Sequence, residues 1–183
     1  MPASPRLIAE YQERILQTLQ QLGIPVSHAT DRRQSWHLEG TDLVSIGFDH
    51  AGREQRLERT AAGQWQAMRE SALRANVTLE IISAFRSFDY QHQIIARKLA
   101  AGLSIDQILS VSALPGFSEH HSGRAIDIGT PGSPPLTEAF EQTAAYAWLT
   151  QHAQEFGFHL SYPRGNPHGV NFEPWHWLYR KNQ

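Results

Sequence analysis

Leu7, Ile8, Tyr11, Ile15, Leu19 and Leu22 recur at spacings of three and four, one apolar stripe that predicts a helix over 6–22. Gly23 and Pro25 end it. Such a stripe is expected to pack on the chain's own core. A hairpin, or a pair of short strands, is predicted over 35–49, with Leu43-Val44-Ser45-Ile46-Gly47-Phe48 as its stronger strand. A second helix is expected over 53–75, burying Leu57, Ala61, Trp65, Met68 and Leu73 despite Gly63. Val77 to Ser83 is rich in β-branched residues and predicts a strand.

Helices are predicted at 88–101, where Ile94, Ile95 and Leu99 are apolar, and at 104–112, where Ser104 is a good N-cap. Pro115-Gly116 opens a loop. Ala125 to Ile128 predicts a short strand, and residues 130–135 a turn-rich break. Thr137 can cap a helix running to Phe156, with Gly157 at its end. Phe158 to Tyr162 predicts a strand, 163–169 a loop, and 170–179 a last strand. Helices and short strands mix without regular βαβ alternation, so the expected class is α+β. Residues 1–52 read as a helix-and-hairpin extension packed on a core domain over 53–183.

A length of 183 residues allows one domain with a sizeable core. A net charge of −2 without a long basic stretch gives no reason to expect nucleic acid as a partner. No signal-peptide core and no apolar run approaching the ~20 residues of a membrane span is visible, so membrane insertion is not expected. On the chain as given the expected location is the cytoplasm; removal of an export signal would make it the periplasm or cell envelope. Cysteine is absent, so any metal must be held by His, Asp or Glu, and ten histidines are available.

Two segments carry candidate chemistry. In Ser118-Glu119-His120-His121-Ser122-Gly123-Arg124-Ala125-Ile126-Asp127, a glycine separates His120 from Asp127 and permits a sharp reversal between loop and strand. In Phe172-Glu173-Pro174-Trp175-His176-Trp177, Glu173 and His176 would face opposite sides of a regular strand, but Pro174 disturbs the ladder and can re-aim one of them. Together they offer three zinc-type ligands, His120, Asp127 and His176, and a spare carboxylate, Glu173. Taken singly, the same residues also read as a solvated loop histidine and a turn-forming aspartate.

The first segment fits S-x-H-x-x-G-x-A-x-D through Ser118, His120, Gly123, Ala125 and Asp127, and the second fits E-x-W-H through Glu173, Trp175 and His176. These motifs resemble the D-Ala-D-Ala carboxypeptidase family typified by VanY, in the wider group of lysostaphin-type peptidases and the hedgehog signalling domain. The resemblance covers about residues 77–180. It implies a small antiparallel sheet flanked by helices; the N-terminal helical extension lies outside it. It implies one zinc ion per chain held by His120, Asp127 and His176, and Glu173 as general base. His121 is then a neighbour of the site, or exposed.

Ser83-Ala84-Phe85-Arg86-Ser87-Phe88-Asp89-Tyr90-Gln91 is similar to the family's S-x-Y-R-S-x-x-x-Q, departing from it at Phe85. This places Arg86 in the cleft, facing an oxyanion or a substrate carboxylate; the bland alternative is a surface ion pair. Ser118 is expected to bind the substrate's terminal carboxylate, and Gln91 to line the same pocket or brace its loop. Tyr162, beside a Y-P-x-G turn, reads as a substrate contact or a core aromatic. His168 is a weaker substrate candidate, Trp148 reads as core, and one of Trp175 and Trp177 is expected to wall the cleft.

The resemblance implies a zinc carboxypeptidase removing C-terminal D-alanine from peptidoglycan stem peptides or their precursors, with D,D- or L,D-specificity. The competing readings are a D,D-dipeptidase or peptidoglycan endopeptidase, and a non-catalytic zinc-containing binding module. The endopeptidase is disfavoured by a carboxylate clamp of Arg86 and Ser118, the binding module by the presence of Glu173 and Arg86.

Overall fold

The opening stripe folds into helix α1 (Pro5–Gln21), capped by Ser4, whose hydroxyl accepts from the Leu7 amide. The structure is a computed structural model and describes residues 4–30 and 35–181. After a one-turn helix α2 (Ser27–Thr30), strand β1 (Leu43–Phe48) pairs antiparallel with β2 (Glu54–Glu58). Here two expectations are corrected. The hairpin is not contained in 35–49, and the helix expected from 53 begins only at Arg59. Burial alternates along β2, with Gln55 and Leu57 inward. Gln55 donates to Asp49 Oδ2 at 3.0 Å and accepts from the Ala84 amide at 2.9 Å. An inward glutamine leaves no apolar mark, so the period of two is invisible in the sequence.

Helix α3 (Arg59–Arg74) buries Ala61, Trp65, Met68 and Ala72. Leu73, expected inside, is 63% exposed, because it sits about 100° around the helix from Ala72, which holds the stripe. Strand β3 (Glu80–Ser83) leads to α4 (Phe88–Ala100), capped by Ser87, and α5 (Ile105–Leu109), which carries a Ser104–Gln107 capping box. Strand β4 (Ala125–Gly129) follows.

The single helix expected from Thr137 to Phe156 is broken into a 3₁₀ turn at Glu138–Gln142, α6 (Ala144–His152) and a 3₁₀ turn at Ala153–Phe156. Thr143 is extended, and its hydroxyl donates to the Phe140 carbonyl and accepts from the Tyr146 amide. That makes Thr143, rather than Thr137, the cap. Strands β5 (Phe158–Leu160) and β6 (His176–Tyr179) complete the fold. Of the strand expected over 170–179 only the last four residues form. Pro174 has no amide proton, and the His176 amide is taken by a turn to the Glu173 carbonyl.

The main sheet runs β3-β4-β6-β5, antiparallel throughout. The architecture is the expected α+β arrangement of small antiparallel sheets and helices. One face of the main sheet packs with α3 and α6 around Trp65, Met68, Ile126, Phe158 and Trp177. A second cluster joins Tyr11, Ile15 and Leu19 of α1 to Phe88 and Ile95 of α4 and Leu109 of α5. Each fully buried large apolar side chain contributes about 1.5–3 kcal/mol, so α1 is held by packing, not by intrinsic helicity. Among the described residues no helix is long and apolar enough to cross a membrane.

Candidate metal centre and active-site cleft

Sheet register brings the first two candidate ligands together. Asp127 of β4 pairs directly with His176 of β6, and their neighbours Ile126 and Trp177 pair in turn. Side chains alternate along a strand, so Asp127 and His176 share one face while Ile126 and Trp177 take the core face. His176 Nδ1 lies 3.0 Å from Asp127 Oδ1. The third ligand comes from the 3₁₀ turn Glu119–Ser122, which ends at Gly123 with φ +69°. A Cβ on Gly123 would sit 2.5 Å from Leu43 Cδ2, so both the turn and its contact with β1 require glycine. The turn swings His120 Nε2 to 3.3 Å from Asp127 Oδ2.

His120, Asp127 and His176 are buried, and one donor atom from each lies within 4.8 Å of the others. The His120 ring donates from Nδ1 to the Ala84 carbonyl at 2.6 Å, which leaves Nε2 with a lone pair. That Nε2 is buried and makes no hydrogen bond. An orphaned imidazole nitrogen facing a carboxylate is what a divalent cation would satisfy, and the N₂O donor set suits zinc.

The electrostatics are strongly perturbed. Burial disfavours the charged form of Asp127, but His120 and His176 outweigh it and hold the carboxyl well below its usual range. Burial also disfavours an imidazolium at His176, yet hydrogen bonds to Asp127 and Glu119 raise it to about 10. Burial and the Arg86 charge lower His120 to about 4, against the opposing pull of Asp127. Glu173 lies 3.8 Å from His176 Nδ1 and is raised by burial to about 7, with His176 opposing and Asp127 adding. A carboxyl titrating near neutrality beside the donors is suited to proton transfer.

A narrow cleft of about 40 Å³ opens here, lined by Arg86, Ser118, Tyr162, Val170 and Glu173 among others. Arg86 Nη2 lies 3.8 Å from Asp127 Oδ2, and its Nε is buried without a hydrogen-bond partner. Tyr162 is 7% exposed and packs its ring 4.8 Å from that of His176. Burial, with Glu119 and Glu173 nearby, raises its hydroxyl above the usual range and keeps it a donor. Gln91 is fully buried; it accepts from Arg86 Nη1 at 3.3 Å and donates to the Ala113 carbonyl at 2.7 Å. Of its two expected roles, bracing is the one these contacts describe. His168 stacks edge-on against Tyr162, and Trp177 packs inward. Trp175 is half-buried against the core, and Trp148 is half-buried against His152 and Phe156.

Three residues escape motif reasoning. His121 is fully buried; its Nδ1 donates to the Arg86 carbonyl at 2.7 Å, and its Nε2 accepts from the Gly116 amide at 3.0 Å. Of its two expected placements it takes the first, a buried neighbour of the site, and it clamps two loops together. Lys98 donates to Ser112 Oγ at 2.6 Å at the cleft wall. Glu119 Oε2 lies 2.9 Å from His176 Nε2. The N-terminal segment also reaches the site. The His37 amide donates to the Gly116 carbonyl, the Gly40 amide to the His121 carbonyl, and Glu39 accepts from the Phe88 amide.

The family model described as VanY, D-alanyl-D-alanine carboxypeptidase, matches residues 54–182. A D-alanyl-D-alanine carboxypeptidase of Enterococcus faecium is 31% identical over 159 residues, covering 85% of this chain and 48% of that protein. The chain spans about half the length of the curated relatives it matches. The solved LdcB LD-carboxypeptidase aligns with TM-score 0.69 and 29% identity over 78% of this chain and 70% of that one. A zinc complex of a vancomycin-resistance D,D-pentapeptidase VanY variant aligns with TM-score 0.56 and 26% identity, over 80% of each chain. With its motifs gathered into one buried donor cluster beside the cleft, the chain belongs to the VanY D-alanyl-D-alanine carboxypeptidase family.

Proposed function

We propose that this protein is a zinc-dependent carboxypeptidase that releases C-terminal D-alanine from peptidoglycan stem peptides or their precursors, its peptidase domain spanning 53–183 with residues 1–52 packed on it. The observation that carries the reading is the convergence of His120, Asp127 and His176 beside Glu173, a second carboxyl raised to about 7. His120 through Nε2, Asp127 through its carboxylate and His176 through Nδ1 would hold the ion. Zinc, when bound, supplies Lewis-acid polarisation of the scissile carbonyl and activation of water.

The chain's own groups supply the rest. Glu173 takes the proton from the attacking water and delivers it to the departing D-alanine amine. Arg86, always charged, faces the cleft and stabilises negative charge on the substrate. Ser118, buried at the cleft wall, donates to the terminal carboxylate. Tyr162, kept protonated, is positioned to donate to the peptide. A clamp for a free carboxylate favours an exopeptidase over an endopeptidase.

Both specificities occur among the similar proteins, D,D in the Enterococcus faecium carboxypeptidase and LD in LdcB. The test is D-alanine release from a pentapeptide and a tetrapeptide stem, with and without chelator, alongside Glu173→Ala. Chelator-sensitive release from the pentapeptide alone means D,D-activity; release from the tetrapeptide means L,D-activity. Zinc binding without release from either would favour the endopeptidase or the non-catalytic reading.

A further inference from the structure

His176 has polar partners on both ring nitrogens. Its Nδ1 faces Asp127, and its Nε2 meets Glu119 Oε2 at 2.9 Å. The two nitrogens point away from each other, so Glu119 stands behind the ring as seen from the donor cluster. A neutral imidazole carries one proton. For Nδ1 to offer its lone pair to a cation, that proton must sit on Nε2. An acceptor fixed at Nε2 selects this tautomer and the ring orientation with it. His120 has the same device in mirror form, with Nδ1–H on the Ala84 carbonyl and Nε2 left for the ion.

Glu119 is itself built in. It opens the 3₁₀ turn that carries His120, and its carbonyl accepts from Ser122 Oγ at 2.6 Å. Its side chain is only 13% exposed. His37, from the segment preceding the matched family region, lies close enough for the Glu119 charge to act on it. His37 is held there through its backbone, by the Gly116 carbonyl and the Tyr11 hydroxyl.

We infer that Glu119 is a positioning residue for metal binding, holding the His176 Nε2–H so that Nδ1 is presented to the cation. The inference rests on the zinc reading above. A role in contacting substrate instead would leave metal affinity unchanged.

The test is zinc affinity by chelator competition on the full chain, wild type against E119A and E119Q. E119A is expected to bind zinc about 10–100-fold more weakly, the usual effect of losing an outer-sphere partner. E119Q keeps an acceptor oxygen and should recover most of the affinity. Nitrogen-15 NMR of the zinc-loaded wild type should show the His176 proton on Nε2 and the metal on Nδ1, independently of whether E119A folds. Wild-type affinity in a folded E119A, or zinc on Nε2, would overturn the inference alone. A wild-type chain that binds no zinc would overturn the zinc reading, and this inference with it.

Discussion

Glu173 and His176 stand three residues apart, yet their side chains meet on one side of the chain, carboxylate oxygen to Nδ1 at 3.8 Å. The turn through Pro174, closed by the His176 amide on the Glu173 carbonyl, removes the strand alternation that would have separated them. The proposed base and a proposed ligand are thereby delivered by one short segment. Glu173→Ala is expected to retain stoichiometric zinc and to lose about 10²–10⁴-fold in turnover. His176→Ala should lose metal and activity together. Metal analysis with steady-state kinetics checks both; unimpaired turnover in Glu173→Ala would sink the mechanism.

Metal binding at the proposed site would have to displace a proton. In the metal-free protein His176 is raised to about 10, whereas His120 is lowered to about 4 and is already neutral. Zinc should therefore release about one proton at neutral pH, and its apparent affinity should rise about tenfold per pH unit between pH 6.5 and 8.5. Calorimetry in buffers of different ionisation enthalpy measures that proton directly.

The buried base should cost stability when it ionises. Glu173 is raised from its ordinary value to about 7, so the folded metal-free protein binds its proton more tightly than the unfolded chain. The resulting stabilisation is fully present below the ordinary glutamate range and is lost as pH rises through about 7. Glu173→Gln should consequently stabilise the metal-free protein at pH 8 relative to pH 5, by up to about 3 kcal/mol. Denaturant titrations at the two pH values decide it.

Gly123 couples the ligand turn to the hairpin. Its carbonyl accepts from the Glu58 amide at 2.7 Å, and an added Cβ would lie 3.1 Å from that nitrogen as well as against Leu43. Gly123→Ala, strained also by its positive φ, should destabilise by about 1–3 kcal/mol and weaken zinc binding. An unchanged melting temperature would contradict this.

The hairpin offers a check on the corrected secondary structure. Leu57 is fully buried on the inner face of β2. Leu57→Ala should cost about 2–5 kcal/mol. Gly63→Ala, in the middle of α3 with nothing within 4 Å of an added Cβ, should stabilise by about 0.5–1 kcal/mol. Paired thermal melts of the two variants test both assignments.

The residue types and spacings of two short segments were enough to name a candidate donor set and a spare carboxylate, and the mix of helical and strand patterns along the chain was enough for the α+β class. Ligand chemistry is a property of the side chains themselves, and the long apolar stripes of α1 and α3 carry their period locally. What the linear order does not hold is pairing. That Asp127 faces His176 depends on the register of strands 49 residues apart. That Glu54–Glu58 is a strand depends on an inward Gln55 whose partners, Asp49 and the Ala84 amide, exist only once the chain is folded. Glu119 occupies a variable position of the motif, and His37 lies outside it. Glu119 acquires its place through a side-chain contact with His176, and His37 through backbone hydrogen bonds made across the fold. Local pattern reports what a residue can do, whereas non-local hydrogen bonding and packing decide what it meets.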